Sequence, residues 1–321
     1  RFVYTGGAWG DSIVLKSDTD VGVSNCYECW KVIEYTPAIA SQSVTMAGNS
    51  VANTVIGDIV AADVDGYEDD VGGTYTGTGS ALIERPDHVR KHILIALLGF
   101  VAADIGGSFA TVGATYAAQI AGGYKFAFNL PEVATEAMDL FAKMDLQSRS
   151  NMFESGGTFN LAFGSVAAPT SQMTFDKDNV RGSFLFGKTE VADIRNKLRG
   201  HYYRDYSKGG SLGDRYMKVL ELSNAASITK YGNMIEDLEF SCVGDLALMV
   251  DDVMDWILIE RKELKKIVSF EAFWDAMILE FCDYFTVTSN FWSGEKFKAI
   301  RLVERPGSQL IEVQGLQFVA S

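Results

Sequence analysis

An α+β fold, with β-rich tube-like or barrel domains and an α/β insertion carrying two helices, is predicted for this 321-residue chain on three observations. Both flanks consist of short segments in which apolar and polar residues alternate with period two, as in strands with one buried face. Between them, two segments carry apolar residues at helical spacing behind a proline. No repeat of about 20–50 residues recurs, which excludes solenoids and propellers. The predicted division is a β-rich N-terminal part over 1–82, the insertion over 83–150, and a β-rich part with one helix over 151–321.

From Arg1 to Ala81, Val, Thr, Tyr, Gly and Ser dominate, and runs such as SIVLK and SQSVTMAG predict short strands. DVDGYEDDVGGTYTGTGS, Asp63 to Ser80, predicts an acidic, glycine-rich connector. Pro86 then opens a helix whose apolar face is Val89, Ile93, Ala96, Leu97 and Phe100. Pro131, with Glu132 behind it, opens a second helix with Val133, Ala137, Leu140, Phe141 and Met144 at matching offsets. The two are expected on one face of a shared sheet, with YKFAFNL (Tyr124 to Leu130) as a strand between them. The stretch Ile93 to Gly122 has one formal charge, at Asp104, and its Gly-Gly pairs predict two buried segments joined by a turn rather than a membrane span.

After Ser150, GTFNLAFG, QMTFDKD, GSFLFGK, NKLRGHYYRDY and RYMKVLELS predict strands. A helix over Asp245 to Lys262 shows Leu246, Met249, Val250, Val253, Trp256 and Ile257 on one face. KKIVSF, DYFTVTSNF, KFKAIRLVE and QLIEVQGLQFV close the chain as strands.

The formal charge of −14 and pI near 4.7 disfavour a nucleic-acid-binding or anionic-lipid-binding surface, which depends on cations to release counterions. Four cysteines, Cys26, Cys29, Cys242 and Cys282, are too few for a disulfide scaffold and fit synthesis in a reducing cytoplasm. Arg1 is not an initiator methionine and no leader pattern follows it, which fits a processed product or a fragment of a longer polypeptide.

RGSFLFGKT, Arg181 to Thr189, matches the phosphate-loop pattern through Gly182, Gly187, Lys188 and Thr189, and LALMVDD ending at Asp251 and Asp252 imitates a metal-holding strand end. Ser-Phe-Leu-Phe between the glycines alternates like a strand, however, so a nucleotide-binding enzyme is the alternative and not the main reading. Cys26 and Cys29 with His88 and His92 could supply four zinc ligands, at a separation far longer than in a zinc finger. Asp63, Asp65, Asp69 and Asp70 could gather calcium, but the loop's glycine is misplaced for an EF-hand. Glu280 and Asp283 could serve as an acid/base pair, and His201 lacks a nucleophile-elbow serine. Trp274 and Trp292 would be the exposed aromatics of a receptor- or glycan-binding adhesin, a further alternative. No catalytic residue, cofactor or metal is predicted.

An ordered series of short motifs runs from about Asp63 to Val287: the acidic loop leading into ALIERPDHVRKHIL; AKMDLQSRSNMF with Gln147, Ser148 and Arg149; NVRGSFLF; DIRNKLRGHYYRDY with Asn196; SITKYG with Ser227, Tyr231 and Gly232; and MILEFCDYFTVT. This series resembles the hub or tail-tip structural proteins of tailed bacteriophages. Such proteins tend to carry Leu-Glu-x-Gly-Asp at the last motif, where this chain has Cys282, which puts the tight turn there in question. The resemblance implies a homotrimeric ring that continues the tail tube, contacts tube, distal-tail and spike or fibre proteins, and passes DNA without binding it specifically. It further implies a place in the virion tail tip after assembly in the host bacterial cytoplasm, no stable membrane insertion and no enzymatic activity.

Overall fold

The computed structural model describes residues 66–130, 136–167, 169–206, 208–290, 294–305 and 307–319 with their side chains, and within 1–65 only the backbone of strands. These are β1 (Phe2–Tyr4), β2 (Ser12–Leu15), β3 (Cys26–Tyr27), β4 (Cys29–Glu34), β5 (Ser43–Met46), β6 (Asn49–Val51) and β7 (Ile59–Val64). SIVLK and SQSVTMAG are therefore strands, as their alternation predicts, and the fold class is α+β.

Helix α1 (Pro86–His92) begins at its proline, behind an extended Arg85. It then widens into a π-helical turn over Ile93–Leu97, with Leu98 N–H reaching Ile93 C=O at 3.0 Å. Bonding to the fifth residue instead of the fourth changes the rotation per residue, so the predicted apolar face breaks here. Val89, Ile93 and Leu94 are buried, whereas Ala96, Leu97 and Phe100 face solvent, correcting the sequence expectation. Helix α2 (Ser108–Gln119) follows Gly106-Gly107 and buries Phe109, Val112, Gly113 and Tyr116. A side chain at Gly113 would place Cβ 2.4 Å from Asp87 Oδ2, so the α1–α2 contact requires glycine. Only one side of the Ile93–Gly122 stretch is buried, and Leu97, Leu98, Phe100 and Val101 are exposed. Among the described residues, no helix is long and apolar enough to cross a membrane.

Within Tyr124 to Leu130 only β8 (Phe128–Asn129) is a strand, antiparallel to β3. Tyr124, Phe126 and Phe128 alternate inward, but the backbone bonds go elsewhere: Phe126 N–H to Glu84 C=O and Ala127 N–H to Cys242 C=O. The segment thus stitches two loops together and does not underlie both helices. Helix α3 (Ala137–Gln147) buries Leu140, Phe141 and Met144 as predicted, while Pro131, Glu132 and Val133 lie outside the described residues. A hairpin of β9 (Ser150–Ser155) and β10 (Thr158–Phe163) follows.

The remaining strands are β11 (Met173–Phe175), β12 (Val180–Lys188), β13 (Lys197–Arg204), β14 (Tyr216–Ser223), β15 (Ile235–Phe240), β16 (Lys266–Phe273), β17 (Tyr284–Thr288), β18 (Ser293–Arg305) and β19 (Leu310–Gln317). Short helices α4 (Leu212–Arg215) and α5 (Ala225–Tyr231) and the long α6 (Ala247–Arg261) lie among them. A curled six-stranded sheet has the order β11-β17-β18-β19-β16-β12, and a three-stranded sheet the order β14-β13-β15. Only β11/β17 and β13/β15 pair in parallel within these two sheets.

Two apolar cores result. The first gathers α1, α2, α3 and α6 with β13 and β15, through residues such as Val89, Tyr116, Met144, Leu198, Val250 and Ile257. Gly200 of β13 lets α6 approach: a Cβ there would meet Met254 Sδ at 2.4 Å. The second lies on the six-stranded sheet, with Phe175, Phe270, Phe285 and Phe297 in mutual ring contact at centroid distances of 4.7–5.9 Å. Each such side chain contributes about 1.5–3 kcal/mol by leaving water.

Candidate functional site

The motif residues singled out in the sequence meet in a buried polar seam through the first core. Arg90, on the inward side of α1, is fully buried; its Nη2 donates to Asp145 Oδ1 (2.9 Å), Ser148 Oγ (3.0 Å) and Ser150 Oγ (3.0 Å), and its Nη1 to Tyr116 OH (3.2 Å). Burial raises the Asp145 carboxyl above the ordinary range, against the pull of the Arg90 guanidinium. Ser148 also donates to Met144 C=O at 2.6 Å, closing the last turn of α3. Arg149 ends that helix in the left-handed region (φ 55°) and crosses to the neighbouring elements, with Nε to Gly164 C=O at 2.6 Å and Nη1 to Asp252 Oδ2 at 2.8 Å.

Asp252, on α6, collects two more donors, Gln119 Nε2 at 2.9 Å and the Tyr124 hydroxyl. Burial, with this carboxylate beside it, pushes the Tyr124 phenol up, so the hydroxyl keeps its proton and serves as a donor. Gln147 accepts from Cys242 N–H at 2.7 Å and donates to Ser241 Oγ at 3.2 Å.

A second group clasps the other end of α6. Asn196 Nδ2 donates to Gly232 C=O (2.7 Å) and Ser227 Oγ (3.3 Å), and its Oδ1 accepts from Met234 N–H (2.8 Å). Ser227, whose N–H is capped by Asn224, donates to Lys262 C=O at 2.5 Å. Tyr231 OH reaches Glu263 at 2.8 Å. Chemically these groups hold α1, α3, α5, α6 and β13 in one arrangement through bonds to one another, with the buried Arg90 Nε left without a partner among the described residues.

Elsewhere, a cleft of about 240 Å³ beside Arg195, Glu260, Arg261 and Lys265 is lined by charges already committed. Lys265 pairs with Glu260, and Arg261 with Glu236 at 2.8 Å. Burial lowers the Lys265 ammonium pKa despite that partner.

The phosphate-loop lookalike is strand β12, with a bulge between Arg181 and Leu185 and Gly182 at φ 79°. Thr189 exchanges bonds with the Lys265 backbone, and Lys188 points to solvent. Asp251 is exposed on α6, whereas Asp252 belongs to the seam. His88 and His92 do not converge: His88 Nε2 lies 2.6 Å from Arg85 Nη2, and His92 packs on Tyr67 and Tyr75 at 4.4 and 5.0 Å. The side chains of Cys26, Cys29, Asp63, Asp65 and Trp292 lie outside the described residues. Among the described residues, no group of three His, Cys, Asp or Glu is placed to hold a metal.

Asp69 and Asp70 organise their own loop, accepting from Tyr75 and Thr76 and from Thr74. Glu280 accepts from Ser155 Oγ at 2.5 Å, Asp283 accepts from Glu280 N–H at 2.9 Å, and His201 Nε2 stands 3.3 Å from Asp237. Cys282 adopts φ 72°, so the tight turn that glycine favours persists with cysteine in its place. Arg90, Tyr116, Asp145 and Ser150 were not legible as a group. The available signal was Arg90 itself, a cation in helical phase with Pro86 and Ile93.

No protein-family model and no curated protein matches the chain. In fold it is similar to a protein in the virion of a native gene transfer agent particle (12% identity, 84% of this chain and 64% of that one, TM-score 0.49). It is similar also to a prophage tail protein from Listeria monocytogenes (10% identity, 62% and 57%, TM-score 0.38) and to a 43 kDa prophage tail protein from Shewanella oneidensis (10% identity, 60% and 57%, TM-score 0.39). The chain thus spans about three fifths of the length of these proteins.

Proposed function

We propose that this chain is a structural protein of a phage-type tail, placed at the hub or tip, where three copies form a ring that continues the tail tube and anchors tip components. The observation that carries the reading is the fate of the ordered motifs. Gln147, Ser148, Arg149, Asn196 and Ser227, among the residues on which the resemblance rests, are buried connectors between elements, and Gly232, at the surface, accepts from Asn196 through its carbonyl. A protein whose distinguishing residues fix the mutual placement of its parts is suited to load-bearing assembly and not to turnover of a small molecule. The acidic balance accords with a channel that lets DNA pass, since cationic walls would trap it by counterion release.

The test is reconstruction of purified particles in which this chain carries a small density tag. Three tags around the axis at one end of the tail are expected; tags along the tail shaft, on the capsid or on lateral fibres would overturn the placement.

A further inference from the structure

Leu97, Leu98, Phe100 and Val101, at the tip that follows the π turn, are exposed, Val101 to 59%. The chain around them is nearly free of charge. From Ile93 to Gly122 Asp104 alone carries a formal charge, and its Oδ2 is occupied by the Val101 N–H at 2.9 Å. Downstream, the outward face of α2 is Ala110, Thr111, Ala114, Ala117 and Ala118, again uncharged. A second exposed apolar group, between β16 and β17, is of another kind: Trp274, Met277 and Ile278 stand there among exposed Asp275 and Glu280.

The chemistry of the tip fits hydrocarbon better than a protein surface. Protein partners are held by hydrogen bonds and charged side chains around an apolar centre. Every residue from Ala96 to Ala103 is exposed, yet all are Ala, Leu, Gly, Phe or Val, so no side chain there can donate or accept. The backbone is withdrawn as well. The amides of Leu98 and Phe100 reach the carbonyls of Ile93 and Leu94 at 3.0 Å, and those of Asp104 and Ile105 reach Val101 and Ala102 at 2.9 and 3.2 Å. Together with the Val101 amide, these donors, which lipid could not satisfy, are bonded internally. Polar groups stand at the margin: Phe100 packs on Phe159 at 4.8 Å, and Glu154, registered with Phe159, is exposed.

We infer that the 97–101 tip is a contact for the surface of a neutral lipid bilayer. Leu97, Leu98, Phe100 and Val101 enter the boundary between headgroups and acyl chains by about 5–10 Å, while Glu154 stays in water. So short a segment cannot span the hydrocarbon core, and the contact is interfacial and reversible. A net charge of −14 gives no attraction to anionic headgroups, so affinity comes from apolar burial alone. The inference goes beyond the tail reading and does not rest on it.

Flotation of the full chain with vesicles provides the test, with circular dichroism confirming that each variant is folded. Wild type is expected to float with vesicles of phosphatidylcholine alone, with no loss on adding salt, and to float less well when half the lipid is phosphatidylglycerol. Val101→Asp and Leu97→Ser are each expected to weaken binding by about tenfold or more, whereas Met138→Ser, at an exposed apolar position on α3, is expected to leave it unchanged. Wild type that floats with neither vesicle, that needs phosphatidylglycerol and is released by salt, or that floats no better than Val101→Asp and Leu97→Ser would overturn the inference. Should wild type fail to float while Val101→Asp reduces its sedimenting mass, the tip is covered by another copy of the chain and not by lipid.

Discussion

The two cores of the molecule are built on opposite principles. The first is threaded by buried polar groups, among them Arg90, Gln147, Ser148, Arg149, Ser150, Asn196 and Ser227, each held by several hydrogen bonds. The second, on the six-stranded sheet, is a stack of phenylalanines with aliphatic neighbours, and no strand of that sheet contributes a buried polar side chain among the described residues. The difference teaches how each half specifies itself. Helices of differing directions can slide and rotate against one another, and directional bonds remove that freedom. A sheet is already registered by its backbone ladder, so its side chains need only fill volume.

The contrast is open to direct attack. Arg90→Met removes four hydrogen bonds made by two guanidinium nitrogens and leaves the half-buried Asp145 without its counter-charge, so a loss of about 3–5 kcal/mol is expected in denaturant unfolding. Phe270→Leu, equally deep in the other core, is expected to cost about 1–1.5 kcal/mol, since volume is largely kept and no polar group is orphaned. Equal losses from the two would erase the distinction.

A smaller effect sharpens it through pH. Burial, partly offset by Asp69, pushes His92 down to about 4 from its ordinary 6.5. As pH falls the unfolded chain takes up this proton first, so the stability contributed by neutral His92 is complete above about 6.5 and is lost between there and about 4. The difference between wild type and His92→Phe isolates this term, because the raised Asp145 carboxyl acts in the opposite sense in both proteins. Wild type is expected to lose about 2–3 kcal/mol more than the variant over that range, read by urea melts at successive pH values. The smallest effect concerns Cys282, in the turn that leads into β17: Cys282→Gly should be about 1 kcal/mol more stable than Cys282→Ala, because only glycine is unstrained at φ 72°.

Local periodicity made the sheet half legible: every strand from β10 to β14 and from β16 to β19 was visible as alternation, and α6 as a helical face. The helical half was harder to read. The π turn at Ile93–Leu97 has no period of its own, so Ala96, Leu97 and Phe100 looked buried when they are not. Tyr124, Phe126 and Phe128 alternate like a strand, yet most of that segment bonds to two separate loops, which no local pattern records. In the seam, Arg149 and Asn196 were visible as motif residues, but their partners Asp252 and Met234 lie 103 and 38 residues away, and only the fold brings them together.

The chain leaves the six-stranded sheet at the end of β12 and rejoins it only at β16, and 78 positions separate Lys188 from Lys266. At about 5–20 residues per second of synthesis, that interval lasts roughly 4–16 s, during which VRGSFLFGK emerges with neither edge paired. The distant pairing of β11 with β17 lengthens the interval further and makes closure of the sheet a late, long-range event. The bulge at Gly182 and the charges at Arg181 and Lys188 are features of the kind that discourage an unpaired apolar strand from pairing with other chains during that wait.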